Sequence, residues 1–342
     1  MAKKTASACP RADIGGQAVM DGVMMKAPDA IAVAVRRQNG DIVVKREEYE
    51  SPAKKHKWMG LPFIRGAVNM VSMLALGMRV LTDSTKMLGE DMTEEEPSKF
   101  EKWLAQKLGK NVDKVVMGVA MVLAVCLAMG LFVLLPNVAV MFFPAQASGW
   151  MLLLKNLVSG IIRIALLIAY ISFCGRIPEM RKTFQYHGSE HKTVYCHEHD
   201  LPLTPANAQQ FSTLHPRCGT SFLLLTFFLS IVFYSIIDVL VLQLTGFDLG
   251  ANYFMRIITR LLLLPCITGI SYEVLKGLAH SDGPLVRAMR WPGLQMQRLT
   301  TKEPTDEMCE VAIVSMNAAL HGLPEGEKTE EGWIILHKDE QK

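Results

Sequence analysis

The sequence predicts a polytopic α-helical membrane protein: four transmembrane helices plus an amphipathic helix, with a small cytoplasmic N-terminal β-rich module. Three observations carry this expectation. Half of the 342 residues are hydrophobic and only a fifth are charged, with a mean hydropathy of +0.22, a balance ordinary for membrane proteins and unusual for soluble enzymes. Four apolar stretches, roughly 115–136, 151–174, 220–244 and 254–277, reach the length of about 20 residues that a helix needs to cross hydrocarbon. Basic residues flank these stretches on one side only: KKHKW and EKWLAQKLGKNVDK before the first, GRIPEMRK after the second, and further basic residues after the fourth. The linkers FFPAQASGW and TGFDLGANYF carry neither Lys nor Arg. The positive-inside rule therefore expects both termini and residues 175–219 in the cytoplasm of a bacterial cell.

Taken in order, residues 1–60 form the β-rich module. The opening MAKKTASACPRADIGGQA has no apolar core, so no cleavable signal peptide is expected. IAVAVRRQNGDIVVKREEY alternates like two strands, and Asn39-Gly40 suits a tight type I′ turn between them. GGQAVMDGVMM upstream is a further strand or a turn-rich loop, and Gly15, Gly16 and Gln17 mark a tight backbone feature there. In residues 61–112, FIRGAVNMVSMLALGMRVLTDSTKML has helical periodicity, but Arg65 and Arg79 bracket a short apolar core. A surface-lying amphipathic helix is expected, with a re-entrant or fifth crossing segment as the alternative. The acidic DMTEEEPSK reads as a solvated linker. Residues 113–280 form the four-helix membrane domain, with its loop at 175–219. In the C-terminal segment 281–342, WPGLQMQRLTTKEP is expected to be extended, EPTDEMCEVAIVSMNAALH a short amphipathic helix, and the charged tail loose. No internal repeat is evident.

Net charge is only +3, which gives no support to a nucleic-acid partner; the partners expected are the lipid bilayer and other membrane proteins. Seven cysteines at irregular spacing form no disulfide framework and suit a reducing compartment.

The chemistry concentrates in the 175–219 loop, which holds five of the nine histidines (His187, His191, His197, His199, His215) together with Cys196 and Cys218. These are zinc-ligand residue types. Pro178 suits the first turn of a helix. On that helix His187-Gly188-Ser189-Glu190-His191 gives H-x-x-E-H, with the two imidazoles on one face at i, i+4. Glu190 lies about 60° round from His187, where a general base belongs, in the same order as in inverted zinc peptidases. His215-Pro216-Arg217-Cys218 opens the next span, where a helix dipole favours a thiolate. The expected metal set is His187, His191 and Cys218, with His215 and Glu273 as further ligands or supporting partners and Glu190 as the catalytic residue. A closed structural site would use four ligands; an open catalytic one would keep a place for water. Arg163 falls near the middle of the second span, while Lys155, Asp238, Arg256 and Arg260 fall in the outer third, and Asp238 paired with Arg256 or Arg260 is the expected structural use of these charges. His280 is a weaker metal candidate.

Four separated motifs, GGQAVMDGVMMK, HGSEHKTVYC, HPRCGTSF and WPGLQMQRLTTKEP, resemble the YqhQ-like family of bacterial membrane proteins, which have no known reaction and are described as predicted metal-dependent enzymes. The resemblance covers about residues 12–320 and implies a shared fold and shared motif residues. Asp21 stands where the family usually has Glu. The resulting expectation is a membrane-embedded, zinc-dependent hydrolase acting at the cytoplasmic interface on a peptide or amphipathic substrate. The alternatives are a non-catalytic assembly or translocation factor with a structural metal site and, third, a transporter.

Overall fold

The computed structural model describes residues 14–89, 112–143, 149–249, 253–279 and 283–338. The acidic linker and His280 lie outside the described residues.

The first β-rich segment folds into four antiparallel strands, β1 (Gly15–Val19), β2 (Gly22–Lys26), β3 (Ala30–Arg36) and β4 (Ile42–Glu48). Asp21, with φ of 49°, turns the β1–β2 hairpin. The β3–β4 connection is longer than the two-residue type I′ turn expected. Gly40 N–H donates to the Arg37 carbonyl and Arg37 N–H to the Asp41 carbonyl. Only Gly40, at φ 95°, leaves the normal region, whereas a type I′ turn would need Asn39 there as well. The Asn39 amide instead bonds Asp41.

The sheet does not end with β4. The tail expected to be loose supplies β5 (Glu327–Lys328) and β6 (Ile334–Leu336), and β6 pairs antiparallel with β4, Val43 opposite Ile335. The order is β1-β2-β3-β4-β6-β5. Both faces are covered, so β3 is buried along nearly its whole length rather than on alternate residues. One face (Val23, Met25, Ala32, Ala34, Ile42, Val44) packs against two helices through Tyr186 and Val194 of one and Met308, Val311, Ala312 and Met316 of the other. The opposite face (Val19, Met24, Ile31, Val33, Val35, Val43) packs against Leu76, Val80 and Met87 of the long helix that follows the strands, with Trp333.

Helix α1 (Ile64–Leu88) links this module to the apolar helices. Its first turn crosses α6 (Tyr253–Ala279) almost backbone to backbone: a Cβ on Gly66 would sit 2.8 Å from the Gly269 Cα, and one on Gly269 would sit 2.2 Å from the Phe63 carbonyl oxygen. Its second half lies on the sheet. The other long apolar elements are α2 (Val112–Met129), continued to Phe142 through a π-helical turn at Gly130–Leu134, α3 (Gly149–Cys174) and α5 (Gly219–Thr245). Among the described residues five helices are therefore long and apolar enough to cross a membrane, one more than the four expected, the addition being α1. Arg65, read as a barrier to crossing, has its charge met by Glu273.

Between α3 and α5 runs α4 (Pro178–Glu198), with Pro178 in its first turn as expected. After α6 come α7 (Pro284–Thr300) and α8 (Asp306–His321), the latter capped by the Thr305 hydroxyl. WPGLQMQRLT is thus helical and not extended; Pro292 lies inside α7, and the buried Gly293, Met296, Gln297 and Thr300 form its inner face.

Candidate metal centre

Helix α4 packs over β1 and β2 and places Glu190 and His191 in the buried layer, with His187 at its margin. Gly188 explains how the helix fits so closely. A Cβ there would lie 2.1 Å from the Lys302 carbonyl oxygen, so the residue that weakens the helix lets the chain after α7 lie against it. That close approach sets the His187 imidazole, whose Nδ1 is 2.9 Å from the Thr300 carbonyl. One turn on, His191 Nδ1 bonds the Thr213 carbonyl. In both rings a backbone acceptor fixes the Nδ1–H tautomer and leaves Nε2 with its lone pair, the arrangement that metal-binding histidines use.

Cys218 completes the group. It is the residue that caps the start of α5, and its Sγ lies 3.3 Å from His187 Nε2 and 3.2 Å from the Thr220 hydroxyl. One ligand atom from each of His187, His191 and Cys218 lies within 4.8 Å of the others. The expected three ligands are therefore brought together from two helices.

Glu190 flanks them. Its carboxylate is 3.4 Å from His191 Nε2 and the residue is only 5% exposed, yet it falls outside the ligand group. Among the described residues no hydrogen bond to its carboxylate is present. Its position depends on β1, because a Cβ on Gly16 would sit 2.6 Å from Glu190 Cγ and 2.7 Å from the Met24 carbonyl oxygen.

His215 lies beside the group and not in it. Its ring centroid is 5.7 Å from that of His191 and 4.5 Å from that of Tyr195, and its Nε2 is 3.4 Å from Glu198, which also pairs with Arg217. Burial pushes the His215 imidazole down to about 4, against the pull of the nearby Glu190 carboxylate. Gln297, fully buried, holds the loop by accepting from His215 N–H (2.7 Å) and donating to the His215 carbonyl (2.7 Å) and the Ser221 hydroxyl (2.8 Å).

Glu273 is elsewhere. Its two oxygens take a bidentate pair from Arg65 at 2.6 and 2.5 Å, so among the described residues it serves the α1–α6 crossing and does not join the His/Cys group. The equal depth of the span ends suggested proximity, but depth says nothing about which side of a helix a residue occupies.

Gly16, Thr213, Gln297 and Thr300 were not legible as site residues. Their one visible signal was membership of, or closeness to, the four motifs, all of which converge here. Tyr195 and His199 continue the i, i+4 ladder of His187 and His191 along α4, with Tyr195 stacked on Phe211.

In the apolar helices, Asp238, Arg256 and Arg260 join Asn156 in one network. Arg260 makes a bidentate pair with Asp238 at 3.0 and 2.6 Å. Asn156 donates to Asp238 (2.9 Å) and accepts from both Arg256 and Arg260 (2.9 Å each). The partner expected for Asp238 is thus Arg260.

A family described as "Protein of unknown function (DUF1385)" matches residues 61–322. The chain belongs to this family. It is 33% identical over 315 residues to the uncharacterized protein YqhQ of Bacillus subtilis, covering 90% of this chain and 92% of the relative. No solved structure matches. The family match takes in the His/Cys group and the motif at 291–304, while Gly16 lies in the strand that precedes it.

Proposed function

We propose that the chain is a multi-pass membrane protein of the bacterial cytoplasmic membrane, and that its His/Cys group is the centre of a metal-dependent hydrolase at the cytoplasmic interface. The carrying observation is the pair of backbone carbonyls that hold His187 and His191 by Nδ1 and leave two Nε2 atoms beside one cysteine sulfur. Two neutral imidazoles and a thiolate suit zinc among the common divalent ions. Three protein ligands leave a position open, the pattern of catalytic and not closed sites. When bound, such an ion would supply Lewis acidity for a carbonyl or ester.

The chain's own residues then divide the work. His187, His191 and Cys218 would hold the ion. Glu190, buried and beside the ligands without being one of them, takes the proton of the attacking water and returns it to the leaving group. Gly16 and β1 keep the carboxylate at that distance. The location beside the start of α5 fits a peptide or amphipathic substrate reaching the site from the membrane surface. Lys and Arg on alternate flanks support the orientation. A cysteine placed at Phe247 should react with a membrane-impermeant maleimide from outside intact cells; reaction only after lysis would reverse the orientation.

A second reading, a structural clamp in an assembly factor, draws support from Gln297 and Thr300, which tie α7 to the loop before α5 and to α4. Glu190→Gln separates the two. Catalysis requires normal metal content and melting temperature with activity reduced about a hundredfold or more, seen as failure to complement a deletion strain at equal protein level. Full complementation would leave only the clamp.

A further inference from the structure

We propose that α1 does not cross the membrane. With the turn before it, it dips into one leaflet and returns to the same side, and its outer stripe takes lipid acyl chains as its partner. The sheet requires this by parity. β1–β4 precede all five of the long apolar helices among the described residues, and β6, hydrogen-bonded to β4, follows them all. Residues 90–111, between α1 and α2, are too charged to add a sixth. Open sheet edges do not stand in hydrocarbon, so the strands lie on one side and the chain between β4 and β6 crosses an even number of times. Five crossings are one too many. The count fails again at α4, which follows α2 and α3 and packs on the same sheet through Tyr186 and Val194: two crossings bring it back there and three do not. The helix to remove is α1, because Leu76, Val80 and Met87 of its second half pack on the sheet itself.

The first half of α1 gives the depth. Gly66 lies against Gly269 of α6, ten residues from the Ala279 end of that helix. That is about 15 Å inside it, half of a hydrocarbon core about 30 Å thick. Phe63, at φ 67°, turns the chain into α1 there, and Arg65 is tolerated because Glu273 neutralises it. Past this tip the protein stops covering α6: Leu262, two turns beyond Gly269 on the same face, is 72% exposed. Two stripes face opposite ways on α1. Gly66, Leu76, Val80 and Met87 are buried in protein. Ile64, Val71, Leu74 and Met78 fall within about 80° of one another at ~100° per residue, and all four are exposed. Beyond Met78 this outer stripe turns polar with the exposed Thr82 and Lys86. From Ile64 to Met78 the helix runs about 21 Å, enough for a tilted path through one leaflet and too short for two. On the way in, exposed Lys55 and Lys57 precede Trp58, Leu61 and Phe63, the order of headgroup cation, interfacial aromatic and hydrocarbon contact. This placement rests on the multi-pass reading and not on the hydrolase reading.

The test uses the full chain in its native membrane. Asn39→Cys before the segment, Lys86→Cys after it and Phe247→Cys are made singly. Each is compared with the unaltered chain for reaction with a membrane-impermeant maleimide, before and after lysis. The first two are expected to gain label on one shared side, whichever side that is, and Phe247→Cys on the other. Asn39→Cys and Lys86→Cys on different sides would make α1 a crossing and overturn the proposal while leaving the multi-pass reading intact. All three on one side would sink the multi-pass reading and the proposal with it. A benzophenone amino acid, placed in turn at Phe63, Met78 and Lys86, then reads depth. On irradiation Phe63 is expected to give a phospholipid adduct on the distal half of an acyl chain, Met78 one near the glycerol, and Lys86 none. Should the change at Phe63 prevent folding, the exposed Leu61 carries the probe. Absence of a lipid adduct at the tip, or adducts at one common depth as from a helix lying on the surface, overturns the proposal.

Discussion

The two polar centres of this chain are built on opposite principles. In the long apolar helices Asp238, Arg260 and Asn156 spend their polar atoms on each other, so little is left over and the cluster joins three helices. At the His/Cys group backbone carbonyls take one nitrogen of each imidazole, and the other nitrogens and the Cys218 sulfur gather within 4.8 Å of one another, held by contacts of 3.2 Å or longer. The first pattern consumes its chemistry in holding the fold. The second uses the fold to keep chemistry unconsumed. The difference teaches that buried charge alone does not mark a reactive site; donors held in place with capacity to spare do.

The largest expected effect comes from breaking the self-satisfied centre. Asp238→Ala strands Arg260 in a buried position and should cost about 3–5 kcal/mol, read as loss of monodisperse protein after detergent extraction. A melting temperature within 2 °C of wild type, as a rough threshold for a chain of this size, would show that the network is not structural. The double change His187→Ala with His191→Ala should instead leave an extractable protein and abolish metal content, lowering stability only by the metal's own contribution. Unaltered metal content would place the ion elsewhere. Gly16→Ala aims at function, at some cost in stability because the added Cβ also meets the Met24 carbonyl oxygen. The added Cβ displaces Glu190, so metal should remain while activity falls about tenfold to a hundredfold, as a misplaced group requires; full activity would free Glu190 from its assigned role. The least effect belongs to Pro136→Ala, which restores an N–H for the Phe132 carbonyl and should shift stability by no more than about 1 kcal/mol. A large loss there would mean that the π-helical turn is itself required.

How much of this was legible beforehand depended on the range of the interactions. The four apolar spans, α4 with its Pro178 start, and the pairing of His187 with His191 follow from composition and from i, i+4 spacing, which act within a few residues. Cys218 was reachable because its residue type and its place before an apolar run are both visible. Glu273 was misplaced because depth was known and azimuth was not. Gly16 could not be recognised as a support for Glu190, since the contact joins residues 16 and 190 through packing of α4 on the sheet. Pro292 disguised α7, although a proline costs a helix one hydrogen bond and the buried face from Gly293 to Thr300 outweighs it. The three residues of β6 are too few to show a period, and they are a strand only because β4 offers an edge.

That edge has a kinetic consequence. Residues 42–44 wait for residues 334–336, and α8, which covers the same sheet, also follows α6 in the chain. The sheet can therefore be completed only after the apolar helices have been synthesised. During elongation at about 5–20 residues per second, an unfinished sheet with an open edge and an uncovered apolar face stands exposed for many seconds. Such a face invites chaperones or aggregation, and residues near the C-terminus decide whether the first strands made reach their final state.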